Sequence, residues 1–408
     1  MLAVMPYMKL PFELCIDIIE FIYYDPQGLV DYATLSACSQ VCLSWTEPSQ
    51  KLLFRWIDLT QDEFRRYRSL MAQISLSNAR GKTLGSYIRV LDVSIGVVSS
   101  PQFGLRQHEF TRLILFCPHL YHLTLRSTLH KFDNDTMTVL QTIASPGNGV
   151  HIRALYLSKC GRQSPILYQF ISVWPGIQFL RLAGRISAPP PPKPSRLQLR
   201  ALVLSRGEEV PSNTLDWLLS NSEKSLQVLE LWDEPGPRMK SLVARHGAHL
   251  RSLRMPSFNK AAAEVVRLCP KLEELALVIY HSSALAPLCD LPSSIEHLAF
   301  RNMGKRSLNR PIINAIKTLP NLRVLTCDQG SQQQGDFTAL QSACNIRTVD
   351  LRVDRRSLWI VSNLNFLARM LLILDQDTHD PVLPHYLPCF ESVSDFPILV
   401  SDHLLSRV

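Results

Sequence analysis

The sequence predicts an α/β fold in which a small N-terminal helical module precedes a curved solenoid of strand–helix repeats, with a parallel sheet on the concave face. One observation is an apolar phrase, most often Leu-x-x-Leu-x-Leu, that occurs eleven times between Ile88 and Leu351. A second is that the segments between these phrases carry apolar residues at helical spacing. A third is a run of short apolar segments over residues 10–59, which is too small to bury all of its own apolar surface.

The N-terminal module is predicted to begin with a helix at Pro11, because proline at a first helical position loses only a donor that has no partner there. The apolar residues that follow at helical spacing are Leu14, Ile18, Ile19 and Ile22. Two further apolar stretches lead to the strand-like residues 56–59. Apolar surface left exposed on such a module marks a partner site.

Two short motifs give this module a family resemblance. Leu-Pro-x-Glu stands at residues 10–13 and Val-Cys-x-x-Trp at residues 41–45, and in this order and spacing they resemble an F-box. The usual Arg before the Ser-Trp pair is Leu43 here, and the connection between the first two helices is long. The resemblance implies docking on a Skp-type adaptor and, through it, on a cullin. It implies an adaptor-binding surface made of Leu10, Pro11, Leu14, Ile18, Ile19, Val41 and Trp45.

The repeated phrases are the strongest signal in the chain. They begin at Ile88, Leu120, Ile152, Ile177, Leu199, Leu226, Leu250, Leu272, Ile295, Leu322 and Ile346. The first two intervals are 32 residues, and the others are 22 to 27 residues. This period is typical of leucine-rich repeats, in which each unit supplies one strand and one helix.

Helices are predicted between the phrases and in the linker that precedes them. Their ranges are 62–77, 109–116, 136–143, 166–173, 214–219, 261–268 and 311–319. Several are followed by a proline, which cannot continue a helix and favours an extended residue before it. The Cys-Pro-x-Leu-x-x-Leu-x-Leu form at Cys117 and Cys269 is similar to repeats of F-box proteins with leucine-rich repeats.

The predicted domains follow from these patterns. They are an F-box at residues 9–60, a linker helix within 61–87, a solenoid of about eleven units at 88–352, and a C-terminal cap and irregular tail at 353–408.

Strand alternation predicts which side chains form the concave face. The leucines at positions four and six of each phrase point inward, so positions three, five and seven point outward. The outward side chains are mixed in charge. Those near the middle of the face include the residue types that most often anchor protein interfaces, and they are Tyr156, Arg181, Glu230, Trp232 and Arg254. We therefore expect a protein target here rather than a nucleic acid.

Position two of the phrase is arginine in six of the eleven units. These residues are Arg89, Arg153, Arg200, Arg251, Arg323 and Arg347. Stacked strands would place them along one rim, either as a site for acidic or phosphorylated segments or as a solvated edge. Glu273 and Glu296 interrupt the series and favour the solvated edge.

A proline-rich segment, residues 188–194, lies between the fourth and fifth phrases. It is interpreted as a stiff loop that replaces the helix of one repeat, and the alternative is a polyproline ligand for an SH3-like partner. Residues 330–335, rich in Gln, are expected to form another loop.

Composition narrows the class of protein. The chain of 408 residues has a net charge of +8, which permits acidic partners but does not require nucleic acid. Its ten cysteines show no paired CxxC units, so reduced thiols are expected and neither a metal site nor a cofactor is predicted. Residues 1–8 lack a basic region and no apolar run is long enough for a bilayer, so we expect an intracellular protein in the cytoplasm or nucleus, without membrane association.

No phosphate-binding glycine loop, GxSxG or HExxH motif is present, and no catalytic residues are predicted. The resemblance implies a non-catalytic substrate-recognition subunit of an SCF-type cullin–RING ubiquitin ligase, acting as a monomer within a hetero-complex. Two alternatives stay open. One is a leucine-rich-repeat scaffold that binds no adaptor, and the other is a binder of nucleic acid or phospholipid through the basic rim.

Overall fold

A computed structural model describes residues 10–24, 30–60, 63–76, 79–96, 104–145, 149–205, 210–278, 288–301 and 309–354. The predicted C-terminal cap and most of the irregular tail, from residue 355 on, lie outside these ranges. The chain forms two compact units, whose described parts are residues up to Leu123 with 138–151, and residues 124–137 with 152 onward.

The N-terminal module contains three helices and one strand. Helix α1 spans Phe12–Phe21, α2 spans Tyr32–Cys38, α3 spans Leu43–Leu53 and strand β1 spans Trp56–Leu59. Asp31 caps the start of α2, because its Oδ1 accepts a hydrogen bond of 2.9 Å from the Thr34 N–H. The Thr46 hydroxyl donates to the Ser39 carbonyl, at 2.9 Å, and so ties the start of α3 to the end of α2.

Strand β1 is the first strand of the sheet, and this corrects the predicted boundary of the solenoid at residue 88. It pairs in parallel with the next strand, so that Ile57 lies beside Leu91 and Leu59 beside Val93. The Trp56 Nε1–H donates to Asp92 Oδ2 at 3.2 Å and reinforces this pair. The helical module and the repeats are therefore joined through a shared sheet.

The helix predicted at 62–77 forms, and a second helix that was not predicted follows it in the linker. They are α4 at Glu63–Ile74 and α5 at Ala79–Tyr87.

The sheet has twelve strands, and their order in the sheet follows their order in the chain. After β1, they are β2 (Val90–Ile95), β3 (His122–Ser127), β4 (Ala154–Ser158), β5 (Phe179–Ala183), β6 (Ala201–Leu204), β7 (Val228–Leu231), β8 (Ser252–Met255), β9 (Glu274–Val278), β10 (His297–Arg301), β11 (Val324–Asp328) and β12 (Asp350–Asp354). From β4 to β12 every adjacent pair is parallel. The leucine at position four of each phrase faces its counterpart in the next strand, so the repeated phrase sets the register. In the first ten phrases these leucines, and the apolar residues at position six, are buried, as the alternation predicts, whereas Leu351 in the eleventh is half-buried.

The predicted helices between phrases form with bounds shifted by at most two residues. They are α6 (Gln107–Leu115), α7 (Asn134–Ile143), α8 (Ile166–Val173), α9 (Ser212–Leu219), α11 (Lys260–Arg267) and α12 (Asn309–Thr318). The sequence did not reveal α10 (Pro237–His246) or α14 (Phe337–Ile346), and the expected Gln-rich loop begins with a short helix, α13 (Gln329–Gln332). The strand–helix alternation is that of leucine-rich repeats.

The eleventh phrase was placed two residues too early. Ile346 is the last residue of α14 and is exposed, whereas Leu325 pairs with Leu351. Position four of this unit is therefore Leu351 rather than Val349, and Arg347 leaves position two. A shift of two residues keeps every side chain on the same face, so alternation alone cannot detect it.

Backbone hydrogen bonds join each of several repeats to the next one at position two of the phrase. The Arg55 carbonyl accepts from the N–H groups of Arg89 and Val90, at 3.0 and 2.9 Å. The carbonyls of Arg89, Arg153, Arg200 and Arg251 accept in the same way from the next strand. This contact involves only the main chain, so it leaves the side chains at position two available for other roles.

Candidate protein-interaction surfaces

Helix α1 is apolar on two faces, and only one of them is buried. Cys15, Ile19 and Tyr23 are buried in the module. Leu14, Ile18 and Phe21 stand three or four residues apart in α1, which places them on one helix face, and Leu10 lies just before the helix. All four are exposed, and Phe21 is 86% exposed. We call these four residues the α1 stripe.

Further exposed apolar residues lie in the same module. They are Phe12, Val41 and Leu43, of which Leu43 is 91% exposed. Of the twelve large apolar side chains that are exposed in the described ranges, seven lie between Leu10 and Leu43. Apolar side chains scattered singly need no explanation, but this concentration is typical of a surface that a partner covers.

The predicted adaptor-binding residues differ in their exposure to solvent. Leu10, Pro11, Leu14, Ile18 and Val41 are exposed, and Trp45 is half-buried in α3. The prediction is corrected at Ile19, because its side chain is fully buried and packs inside the module. Its position one residue after Ile18 turns it by about 100° around the helix, away from the stripe.

Sequence reasoning missed three exposed residues of this surface, Phe12, Phe21 and Leu43. Phe21 follows Ile18 by three residues, so helical spacing could have found it. Leu43 was noticed only as a departure from the F-box pattern, and it is an exposed apolar residue at the start of α3.

The five residues predicted on the strand face do come together, within the second unit. The Arg181 guanidinium lies over the Tyr156 ring at 4.6 Å and over the Trp232 ring at 5.7 Å. The Trp232 Nε1–H donates to Glu230 Oε1 at 2.6 Å. Glu230 Oε2 pairs with Arg254 Nη1 at 3.4 Å.

The same chain of contacts continues over residues that the sequence reasoning did not single out. Arg254 Nη2 lies 3.4 Å from Glu274 Oε1, and the Ser252 hydroxyl donates to the other oxygen of that carboxylate. His297 Nε2 is 2.9 Å from the Thr326 hydroxyl and extends the series to β11. Position three supplies Ser252, Glu274 and His297, and the rule that it shares a face with position five could have found them.

We call these residues, from Tyr156 to Thr326, the strand-face cluster. Its side chains are more buried than strand alternation predicted. Arg181, Glu230 and Arg254 are buried, whereas Tyr156 and Trp232 are half-buried. Strands less than 5 Å apart bring same-face side chains into contact, so large ones cover each other. Among Arg181, Arg254, Glu230 and Glu274 the charges balance. Tyr156, Trp232 and His297 are the half-exposed members of the cluster.

In the part of the chain that the structure describes, three of the arginines at position two contact partners in a neighbouring repeat. Arg251 Nη1 lies 2.9 Å from Glu273, and Arg323 Nη1 lies 3.7 Å from Glu296, each carboxylate belonging to a neighbouring repeat. Arg89 donates instead to the His119 carbonyl at 3.3 Å. These partners support the solvated edge rather than a site for acidic segments.

The eight cysteines whose side chains the structure describes are free thiols, and of these eight Cys42 alone is exposed. Burial raises the pKa of Cys160 and of Cys269 to about 12, so these thiols stay protonated at neutral pH. Over the described ranges no group of three or more His, Cys, Asp or Glu side chains could hold a metal ion. Nor is any helix of those ranges long and apolar enough to cross a bilayer.

Comparisons with known proteins find likenesses among solved structures. No protein-family model and no curated protein matches the chain. Among solved structures, the leucine-rich repeat-containing protein LegL7 from Legionella pneumophila is similar over 73% of this chain and 89% of its own, with 14% sequence identity and a TM-score of 0.41.

Proposed function

We propose that this chain is the substrate-recognition subunit of an SCF-type cullin–RING ubiquitin ligase. Its F-box-like module would bind a Skp-type adaptor, and its repeats would hold a protein target for ubiquitination. The observation that carries the proposal is the α1 stripe, an unpartnered apolar helix face within the residues that resemble an F-box.

In this role the chain performs no covalent chemistry. Holding a target beside a charged conjugating enzyme raises the effective concentration of the target's lysine at the thioester, and proximity alone accelerates transfer. The chain would act as a monomer within a hetero-complex, in the cytoplasm or the nucleus.

The energetics of the α1 stripe suit such a contact. Fully burying an exposed Leu, Ile or Phe side chain contributes about 1.5–3 kcal/mol. Leu10, Leu14 and Ile18 are less than half exposed, so each would contribute a fraction of this, and Phe21, at 86% exposed, would contribute most. Aspartate in their place would have to lose its hydration on docking, which costs far more than the apolar contact contributes.

Point variants test the adaptor contact without disturbing the sheet. We expect Leu14→Asp and Phe21→Asp each to weaken capture of a purified Skp-type adaptor at least tenfold, with unchanged circular dichroism. Leu115→Asp is the matched control, because Leu115 is an exposed leucine on α6 of the same unit. Deleting residues 1–60 is a poorer test, since it also removes β1.

A second candidate is a leucine-rich-repeat scaffold that binds proteins without an adaptor. The strand-face cluster favours it, because Tyr156, Trp232 and Arg181 are residue types that anchor protein interfaces. Folded protein that captures no adaptor, with or without the α1 substitutions, would select this candidate.

A further inference from the structure

A groove with a volume of about 370 Å³ lies between helices α4 and α6 of the first unit. This volume falls within the range of about 300–1,000 Å³ that is usual for ligand pockets. The α4 side is lined by Phe64, Tyr67, Arg68 and Met71, and the α6 side by Glu109 and Arg112. Neither the α1 stripe nor the strand-face cluster contributes a residue, so the groove is a further candidate surface.

The α4 side of the groove is largely apolar. Phe64, Tyr67 and Met71 stand three and four residues apart on α4, so they share one helix face. Tyr67 and Met71 are buried, whereas Phe64 is 44% exposed. The Phe64 ring is therefore an apolar surface that a bound side chain would cover.

The charged groups at the groove are mainly positive. The Arg68 guanidinium lies 4.1 Å from the centre of the Phe64 ring. Burial raises the pKa of Tyr67, Glu109 raises it further and Arg112 opposes both, so the Arg112 guanidinium lies near the Tyr67 hydroxyl. Glu109 is already engaged, because its Oε2 accepts a hydrogen bond of 2.9 Å from the backbone at the start of α6.

The two arginines lack carboxylate partners within the described part of the chain. Both are exposed, and neither takes part in any of the ion pairs found there. A guanidinium group binds a carboxylate through two parallel hydrogen bonds, which gives the contact strength and direction. A ligand that brings carboxylates would therefore complement this groove.

We propose that the groove between α4 and α6 binds an acidic segment of a partner protein. One bulky apolar side chain of that segment packs against Phe64, and carboxylates on either side of it pair with Arg68 and Arg112. Aromatic and arginine side chains are the types that most often anchor such contacts.

The groove favours a peptide over a nucleic acid. Nucleic-acid affinity depends on neutralising several phosphates together, and the groove offers two guanidinium groups. A peptide supplies an apolar side chain and carboxylates from neighbouring positions of one chain, which matches the apolar and the cationic parts of the groove.

This inference goes beyond the adaptor proposal, because no residue of the α1 stripe lines the groove. The acidic segment would bring a second protein to the chain, whether or not the first module binds an adaptor.

The test uses the full chain and short fluorescein-labelled peptides, each with one Leu, Phe or Trp flanked on both sides by Asp and Glu. Read by fluorescence anisotropy, at least one peptide should bind with a dissociation constant on the order of 10 μM. Arg68→Glu and Arg112→Glu should each weaken this binding at least tenfold, because each opposes the carboxylates of the peptide. Phe64→Ser should also weaken it, and a peptide with Asn and Gln in place of its acids should not bind.

Arg80→Glu is the matched control, because Arg80 is an exposed arginine on α5 of the same unit and does not line the groove. It should leave the binding within about twofold of the unsubstituted chain, since distant exposed charges are screened at 0.15 M salt. Unchanged thermal melting of each variant shows that the fold is kept.

The proposal is overturned if no acidic peptide binds, or if Arg80→Glu weakens binding as much as the groove variants do. It is also overturned if a single-stranded RNA displaces the labelled peptide as readily as the unlabelled peptide does, because the groove would then be a nucleic-acid site.

Discussion

At the scale of single residues, Arg254 is the side chain on which the strand-face cluster depends. It lies between Glu230 and Glu274, and all three side chains are about nine-tenths buried. A buried charge is tolerated only when partners offset its lost hydration. Arg251, three residues earlier, forms a comparable ion pair with Glu273, but both of those side chains are about half exposed.

Replacing Arg254 by Met should therefore lower the free energy of unfolding by about 3 kcal/mol, because two buried carboxylates lose their common partner. The measurement is urea unfolding followed by circular dichroism. Arg251→Met is the control and should cost less than about 1 kcal/mol, since exposed pairs contribute little. Equal losses in the two variants would contradict the assigned role of burial.

At the scale of elements, close approach between neighbouring repeats depends on glycine at two equivalent places. A Cβ added to Gly85 in α5 would lie 2.2 Å from the Phe116 carbonyl oxygen, and one added to Gly247 would lie 2.4 Å from that of Leu268. Phe116 and Leu268 each precede a Cys-Pro pair. The obstacle is main chain in both cases, so it cannot rotate away as a side chain can.

Gly247→Ala should destabilise the protein by about 1–3 kcal/mol, the usual cost of overpacking. Gly176→Ala makes the same chemical change where a Cβ meets nothing within 4 Å, so its effect should be small. Thermal melting of the two variants checks this, and a lowered melting temperature for Gly176→Ala alone would refute the close-approach argument.

Whether an element could be predicted from the sequence depended on how regularly its apolar residues are spaced. The repeat strands were evident because each carries apolar residues, most often leucine, at positions four and six of a recurring phrase. Strand β1 follows the same pattern, with Phe54, Ile57 and Leu59 at positions one, four and six, but only the last of these is leucine, and the strand was assigned only to the helical module. Helix α10 carries few apolar residues, of which Leu242 and Val243 are buried, so its periodicity is weak.

The candidate surfaces could be predicted only in part. Residue type pointed to Tyr156, Arg181 and Trp232, but their burial depends on neighbouring strands, which no local pattern reports. Ile18 and Ile19 are both apolar and adjacent, and only the packing of α1 shows that the first is exposed and the second is not.

At the scale of the whole molecule, the net charge of +8 raises the question whether the protein binds nucleic acid. Nucleic-acid binding needs arginines and lysines that are free to neutralise phosphates. Arg251 and Arg323 face carboxylates of neighbouring repeats, so the rim is locally balanced at these two positions.

We therefore expect fluorescence anisotropy with a labelled single-stranded RNA to show no binding tighter than about 1 μM at 0.15 M salt, the tight end of the non-specific range. A Glu273→Gln/Glu296→Gln variant, which leaves the rim arginines unbalanced, should bind more tightly than the unsubstituted chain. Tight binding by the unsubstituted chain, falling steeply with salt, would contradict the interpretation of the rim as a solvated edge.

The central claim is that the α1 stripe is an adaptor contact, and calorimetric titration of the purified chain with a purified Skp-type adaptor tests it most directly. The account predicts a saturable one-to-one complex with a dissociation constant of about 1 μM or tighter. The heat capacity change should be negative, because apolar surface leaves water on binding, and Leu14→Asp should abolish the signal. Absence of binding by folded protein, or binding that Leu14→Asp and Phe21→Asp leave unchanged, would contradict the claim.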